Sequence, residues 1–143
     1  MLPISKLRGV PPEVRVALKA AHIATCSQLL TAAARFDNRE TLAINRHLDL
    51  SSLTDLVQRA DLARVGGVGA TFGLMLERLG ICDVASLAEQ APEILAARLR
   101  ELNGQTRLTR RSPNAAEVEA WIEQARRLPK LVSYSRHSRE AAR

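Results

Sequence analysis

Arg98, Arg100, Arg107, Arg110 and Arg111 stand close together in the last third of the chain. Their planar guanidinium forks match the paired oxygens of a phosphate or a carboxylate. Further upstream, the run from Arg64 to Ala70 reads RVGGVGA, and its glycines interrupt an apolar stretch where the backbone has to turn. A helix that starts directly after such a turn leaves its first N–H groups without acceptors and points the positive end of its dipole outward. Gly67, Gly69, Ala70 and Thr71 are therefore candidates, with the five arginines, for holding an anion such as a phosphate. The same residues also have a plain structural use. The glycines are needed merely to fold the chain back with Val68 as a core plug, and Arg110 or Arg111 suits a loop staple to Glu117 or Glu119.

Catalytic chemistry finds little support. His22, His47 and His137 are scattered, and His22 falls at a turn between helical segments. Lys19 has no cationic neighbours in sequence to lower its pKa, and Asp83 is placed to cap a helix. Cys26 and Cys82 form no CxxC pair and have no paired histidines nearby, which predicts reduced thiols rather than a disulfide or a zinc site. The chain is thus expected to be no enzyme and to need no cofactor or metal. No apolar run approaches the roughly 18 residues of a membrane span, so the expected location is the cytoplasm, with no membrane partner.

Charge gains meaning from its position. Residues 1–97 carry 10 basic and 10 acidic side chains, and residues 98–143 carry 11 and 5, so the net +6 of the 143-residue chain lies in its last third. An anionic partner should be met there. With only 4 aromatic residues, of which Phe72 and Trp121 belong to the core pattern, base stacking on single strands is a poor expectation. Duplex phosphates would be the nucleic-acid target.

The elements that must position these residues are helices. Apolar residues recur at helical spacing at Val14, Leu18 and Ala21, at Phe72, Met75, Leu76 and Leu79, and at Val118, Trp121, Ile122, Ala125 and Leu128. Thr25 with Gln28 and Asn114 with Glu117 have capping-box spacing, Asp83 precedes Val84 as a cap, and Pro92 suits a first turn. Only Leu108 to Ser112 and Lys130 to Tyr134 read as short extended pieces. Sliding the chain on itself by 58 positions superposes Leu7, Gly9, Val10, Val14, Leu18, Ile23, Thr25 and Leu29 on Val65, Gly67, Val68, Phe72, Leu76, Ile81, Asp83 and Leu87. Later the offset becomes 65, aligning Leu53, Leu56, Val57 and Ala60 with Val118, Trp121, Ile122 and Ala125, which implies an insertion within Asn103 to Ser112. Each unit then reads as helix, glycine-bearing turn, helix, short turn, helix.

Val65-Gly66-Gly67-Val68-Gly69 with Phe72 and Leu76 has the pattern of a helix-hairpin-helix. Through Asp61 to Gly69, Leu79-Gly80-Ile81, Pro92-Glu93, Leu108 to Pro113 and Val118 to Ala125, the chain resembles a bacterial tandem helix-hairpin-helix family catalogued as a domain of unknown function. The resemblance covers roughly residues 4 to 132. It implies an all-α fold of two tandem helix-hairpin-helix repeats packed as one compact helical domain. On this reading residues 1–60 form a first repeat with a degenerate hairpin, 61–129 the second repeat, and 130–143 a flexible basic tail. The resemblance also implies that hairpins contacting DNA follow the second glycine with lysine or arginine; here Ala70-Thr71 follows. In the first hairpin Pro11 replaces the second glycine, which with Pro12 removes amide donors, and Glu13 would repel phosphate. The expected function is a non-enzymatic protein-interaction or assembly module whose partner is another protein, with self-association open. The alternative is sequence-independent binding of duplex nucleic acid.

Overall fold

The computed structural model describes residues 2–135, and the remainder of the expected tail lies outside the described residues. Among the described residues the chain is all-helical, with a 3-10 turn at Ile4–Lys6 followed by α1 (Pro12–Ala20), α2 (Cys26–Ala33), α3 (Phe36–Arg46), α4 (Leu50–Leu62), α5 (Gly69–Arg78), α6 (Val84–Ala88), α7 (Pro92–Thr106) and α8 (Ala115–Arg127). No strand forms among them; Pro3 and Thr25 make an isolated bridge. The stretches Leu108 to Ser112 and Lys130 to Tyr134, expected as short extended pieces, run as loops between or after helices.

Local sequence accounts for the helix starts. Gln28 N–H donates to Thr25 Oγ1 at 3.1 Å while Gln28 Oε1 accepts from Thr25 N at 3.2 Å, closing a capping box on α2. Asn114 and Glu117 repeat the device on α8 at 2.8 and 3.2 Å. Asp83 caps α6 through Ser86 N at 2.8 Å, and Pro92 opens α7. Turns at His22, His47 and Arg107 adopt positive φ, so the histidine at the first interhelix turn has a backbone task.

Among the described residues the helices gather into two compact units: residues 2–61 with 131–135, and residues 62–130. The first unit buries Val14 and Leu18 of α1, Leu29 of α2, and Leu53, Leu56 and Val57 of α4, with Ile4 closing the cluster. Its opening departs from expectation, because a three-residue 3-10 turn precedes Gly9 where a helix is expected. The reason lies in the backbone pairing. Ile4 N–H donates to Ala24 O and Leu2 O accepts from Cys26 N, both at 2.9 Å, so the residues leading into the turn bond across the unit, while Lys6 N to Pro3 O and Leu7 N to Ile4 O close the short turn itself. Cys26 is buried in the same core, where desolvation pushes its thiol pKa up. Residues 131–135 belong to this unit as well.

The second unit buries Met75 and Leu76 of α5, Val84 and Leu87 of α6, Leu95 and Leu99 of α7, and Val118, Trp121, Ile122 and Ala125 of α8. Phe72 rests against Trp121 with ring centroids 5.3 Å apart and a 46° tilt, a packing that suits the aromatic quadrupoles. Val65 and Val68, in the turn before α5, join this core. Because α8 supplies one whole wall of it, the cap of α8 should matter to stability. Asn114→Ala is expected to cost about 1 kcal/mol, read as a lower urea midpoint at unchanged slope; an unmoved midpoint would remove Asn114 from this role.

Candidate functional site

The glycine turn answers first to the protein's own α8. Gly67 holds φ at +89°, and a Cβ built there would stand 3.3 Å from Nε1 of the buried Trp121. Any other residue would carry both a left-handed backbone penalty and a steric conflict at this point. One turn along α8 from Trp121, Gln124 takes the neighbouring peptide by both ends: Gly66 N donates to Gln124 Oε1 at 2.9 Å, and Gln124 Nε2 donates to Gly66 O at 3.1 Å. Val68, 2 % exposed, is the core plug.

What remains open is the start of α5. Gly69, Ala70 and Thr71 are exposed, and α5 begins without a side-chain cap and without an acidic residue in its first turn. Gly69 has φ +65°, and no atom lies within 4 Å of the position a Cβ would take. The first-turn amides have no acceptor inside the helix, so this end favours a negative charge.

The arginines divide. Arg98 Nη2 donates to Leu79 O at 3.1 Å, which places it at the C-terminal end of α5. The length of that helix, roughly 15 Å at the standard rise, separates it from the open amides. Arg111 grips Glu117 with both arms, Nη1 to Oε1 at 2.5 Å and Nη2 to Oε2 at 3.2 Å. This is the loop staple to the start of α8. Arg107 ends α7 in the left-handed conformation with its N–H on Asn103 O at 2.7 Å. Arg100, Arg107 and Arg110 are exposed and enter no ion pair among the described residues. Gly67 to Thr71 thus run from the glycine turn into the start of α5, Arg107, Arg110 and Arg111 share one loop, and Arg98 joins neither.

Sequence reasoning missed a further set of basic side chains that bond to backbone carbonyls. Arg64 Nη2 donates to Pro129 O at 2.7 Å, Lys130 Nζ donates to Ala125 O and to Leu128 O, and Arg126 Nε donates to Ala88 O at 3.2 Å. Lys130 answers carbonyls left open at the end of α8, the end that carries Gln124 and its hold on Gly66. The available signal was Arg126-Arg127 just ahead of Pro129, a basic last turn before a helix stop. Gln124 itself gave no signal, since an amide in a polar helix face reads as solvated.

The turn at Gly9 offers less. Gly9 holds φ +65°, and Arg59 Nη1 donates to Arg8 O at 2.9 Å. Pro11 and Pro12 then open α1 without amide donors, and Glu13 sits in its first turn.

The Arg111 pair has a titration signature. The bond from Arg111, with that from Asn114 N, holds the Glu117 carboxyl below the ordinary glutamate value, and the same bond raises Arg111. A carboxyl depressed by folding contributes stability that is present above the ordinary glutamate pKa and fades as pH falls through the depressed one. A carbon-detected NMR titration of Glu117 should therefore show a low midpoint that moves back up in Arg111→Ala. An identical midpoint in both proteins would show that the pair does not persist in solution.

A family model described as Domain of unknown function (DUF4332) matches residues 8–128. No curated protein and no solved structure gives a significant match. With that match running over most of its length, the chain belongs to the DUF4332 family of domains of unknown function.

Proposed function

We propose that this chain is a tandem helix-hairpin-helix protein acting as a non-enzymatic module for protein interaction or assembly. Support for the tandem reading comes from equivalent positions doing equivalent work. Gly9 and Gly67, 58 residues apart, both hold positive φ, as do His22 and Gly80 at the same offset. Thr25 and Asp83 each cap the following helix. Arg59 and Gln124, 65 residues apart, each donate to the carbonyl just before the turn glycine, Arg8 O and Gly66 O.

The observation that carries the protein-interaction reading is the two-armed bond from Arg111 to Glu117. It turns a would-be phosphate grip into a loop staple, while Arg98 is drawn to Leu79 O and the first hairpin opens on two prolines and a glutamate. Exposed Arg100, Arg107 and Arg110 remain, a set suited to the carboxylates of an acidic protein surface.

Duplex nucleic acid is kept as a second reading because of one observation, the exposed and uncapped start of α5. Two measurements separate the readings. A photo-crosslinker at exposed Gln105, beside Arg107 in the full chain, should capture a discrete protein adduct that survives nuclease. Duplex DNA, titrated at low and moderate salt, should bind no better than about 10⁻⁴ M, with little change in Arg107→Ala/Arg110→Ala/Arg111→Ala. Binding tighter than about 10⁻⁶ M, with a steep salt slope that the triple change flattens, would replace the first reading by the second.

A further inference from the structure

Arg39 is 1 % exposed, and no acidic side chain among the described residues pairs with it. Buried guanidiniums ordinarily have an anionic partner. This one is surrounded by neutral acceptors instead. Its Nε donates to Thr54 Oγ1, and its Nη1 to Ala33 O and Ala34 O, each at 3.0 Å, while the Phe36 ring lies 5.6 Å from Cζ. The remaining contacts come from a segment far along the chain. Ser133 O accepts from Arg39 Nη2 at 2.8 Å, and the Tyr134 ring lies 5.8 Å from Cζ.

That segment is read at every level. Val132 packs on the core of the first unit. Ser133 N donates to Ala34 O at 3.0 Å, so the main chain of one residue is paired through both its N–H and its carbonyl. Ser133 Oγ accepts from Phe36 N at 2.8 Å, supplying the cap that Arg35 does not give to α3. The Tyr134 hydroxyl accepts from Gln58 Nε2 at 3.1 Å. Paired main chain, a hydroxyl at a helix start, an aromatic ring against a cation and an apolar seat are the means by which proteins recognise extended peptides.

We propose that the first unit carries a peptide-recognition site formed by Ala34, Phe36, Arg39 and Gln58, which the chain's own Val132-Ser133-Tyr134 occupies and which an extended partner segment of the same apolar, hydroxyl, aromatic pattern enters in exchange. The occupant is short, and its advantage over a free peptide is the effective concentration of about millimolar that chain connection gives it. A partner segment with further contacts outcompetes it. The proposal shares no residue with the glycine turn of the second unit, so the two can fail separately.

The test uses full-length protein and a fluorescent peptide, Leu-Val-Ser-Tyr-Ser, blocked at both ends. Tyr134→Ala weakens the internal occupant while leaving the site intact, so the peptide should bind this variant about tenfold more tightly than the wild type. Adding Arg39→Lys should abolish that gain. Because the double variant risks unfolding, hydrogen exchange at the Phe36 amide gives a second readout: faster in Tyr134→Ala than in the wild type, and slowed again by saturating peptide. Equal affinity for the wild type and Tyr134→Ala, or no peptide protection of Phe36, would overturn the proposal. So would a wild-type dimer that the peptide disperses, since the exchanging segment would then belong to a second copy.

Discussion

The close approach of Trp121 and Gln124 to the Gly66-Gly67 backbone is the constraint on which the second unit depends. It demands a residue with positive φ and no side chain at position 67. It also demands a peptide at Gly66 whose N–H and C=O can both be taken by one amide. With those two points fixed, Val68 has one place to go, into the core, and α5 starts at Gly69 with its first amides facing outward. Thus the exposure of Gly69, Ala70 and Thr71 is a consequence of packing. A ligand site, if it forms there, is built on a turn that the core already requires.

The same economy governs the charges. A net +6 suggests a broad positive field, and long-range attraction of anions follows from it. Individual guanidiniums nevertheless find work inside the fold: Arg98 on a helix end, Arg111 on the start of α8, Arg64 at Pro129, Arg39 among carbonyls and rings. Arginine can do this because five donors in a rigid fork satisfy several carbonyls at once. The sequence counts charges equally; the fold leaves Arg100, Arg107 and Arg110 outside any ion pair among the described residues.

The helices and their starts were legible because their causes are local. Thr25, Asp83 and Asn114 sit beside the amides they cap, and periodic apolar residues mark the buried face. The glycine turn was legible as a turn. The partner that enforces it was not, since Gln124 lies 58 residues from Gly66 and carries no signature beyond polarity. Arg39 was hidden for the opposite reason: a charged residue in an amphipathic helix reads as solvated, and its burial depends on Ser133 and Tyr134, 94 and 95 positions away. The segment before Gly9 reads as helix in sequence but forms a three-residue 3-10 turn, because the Ile4 amide bonds to Ala24 O across the unit, a long-range choice that periodicity cannot register.

Two glycines of the same turn test the central claim directly. Gly67 and Gly69 both hold positive φ, yet a Cβ at Gly67 meets Trp121 at 3.3 Å and a Cβ at Gly69 meets nothing within 4 Å. Each replacement by alanine carries the left-handed backbone cost of roughly 1–2 kcal/mol, and only the first adds a clash with a packed indole. Chemical unfolding of Gly67→Ala and Gly69→Ala should place Gly67→Ala lower by a further 1 kcal/mol or so, within the usual range for overpacking. Equal losses in the two variants would contradict the account, for they would mean that the turn is set by its own backbone and not by the approach of α8.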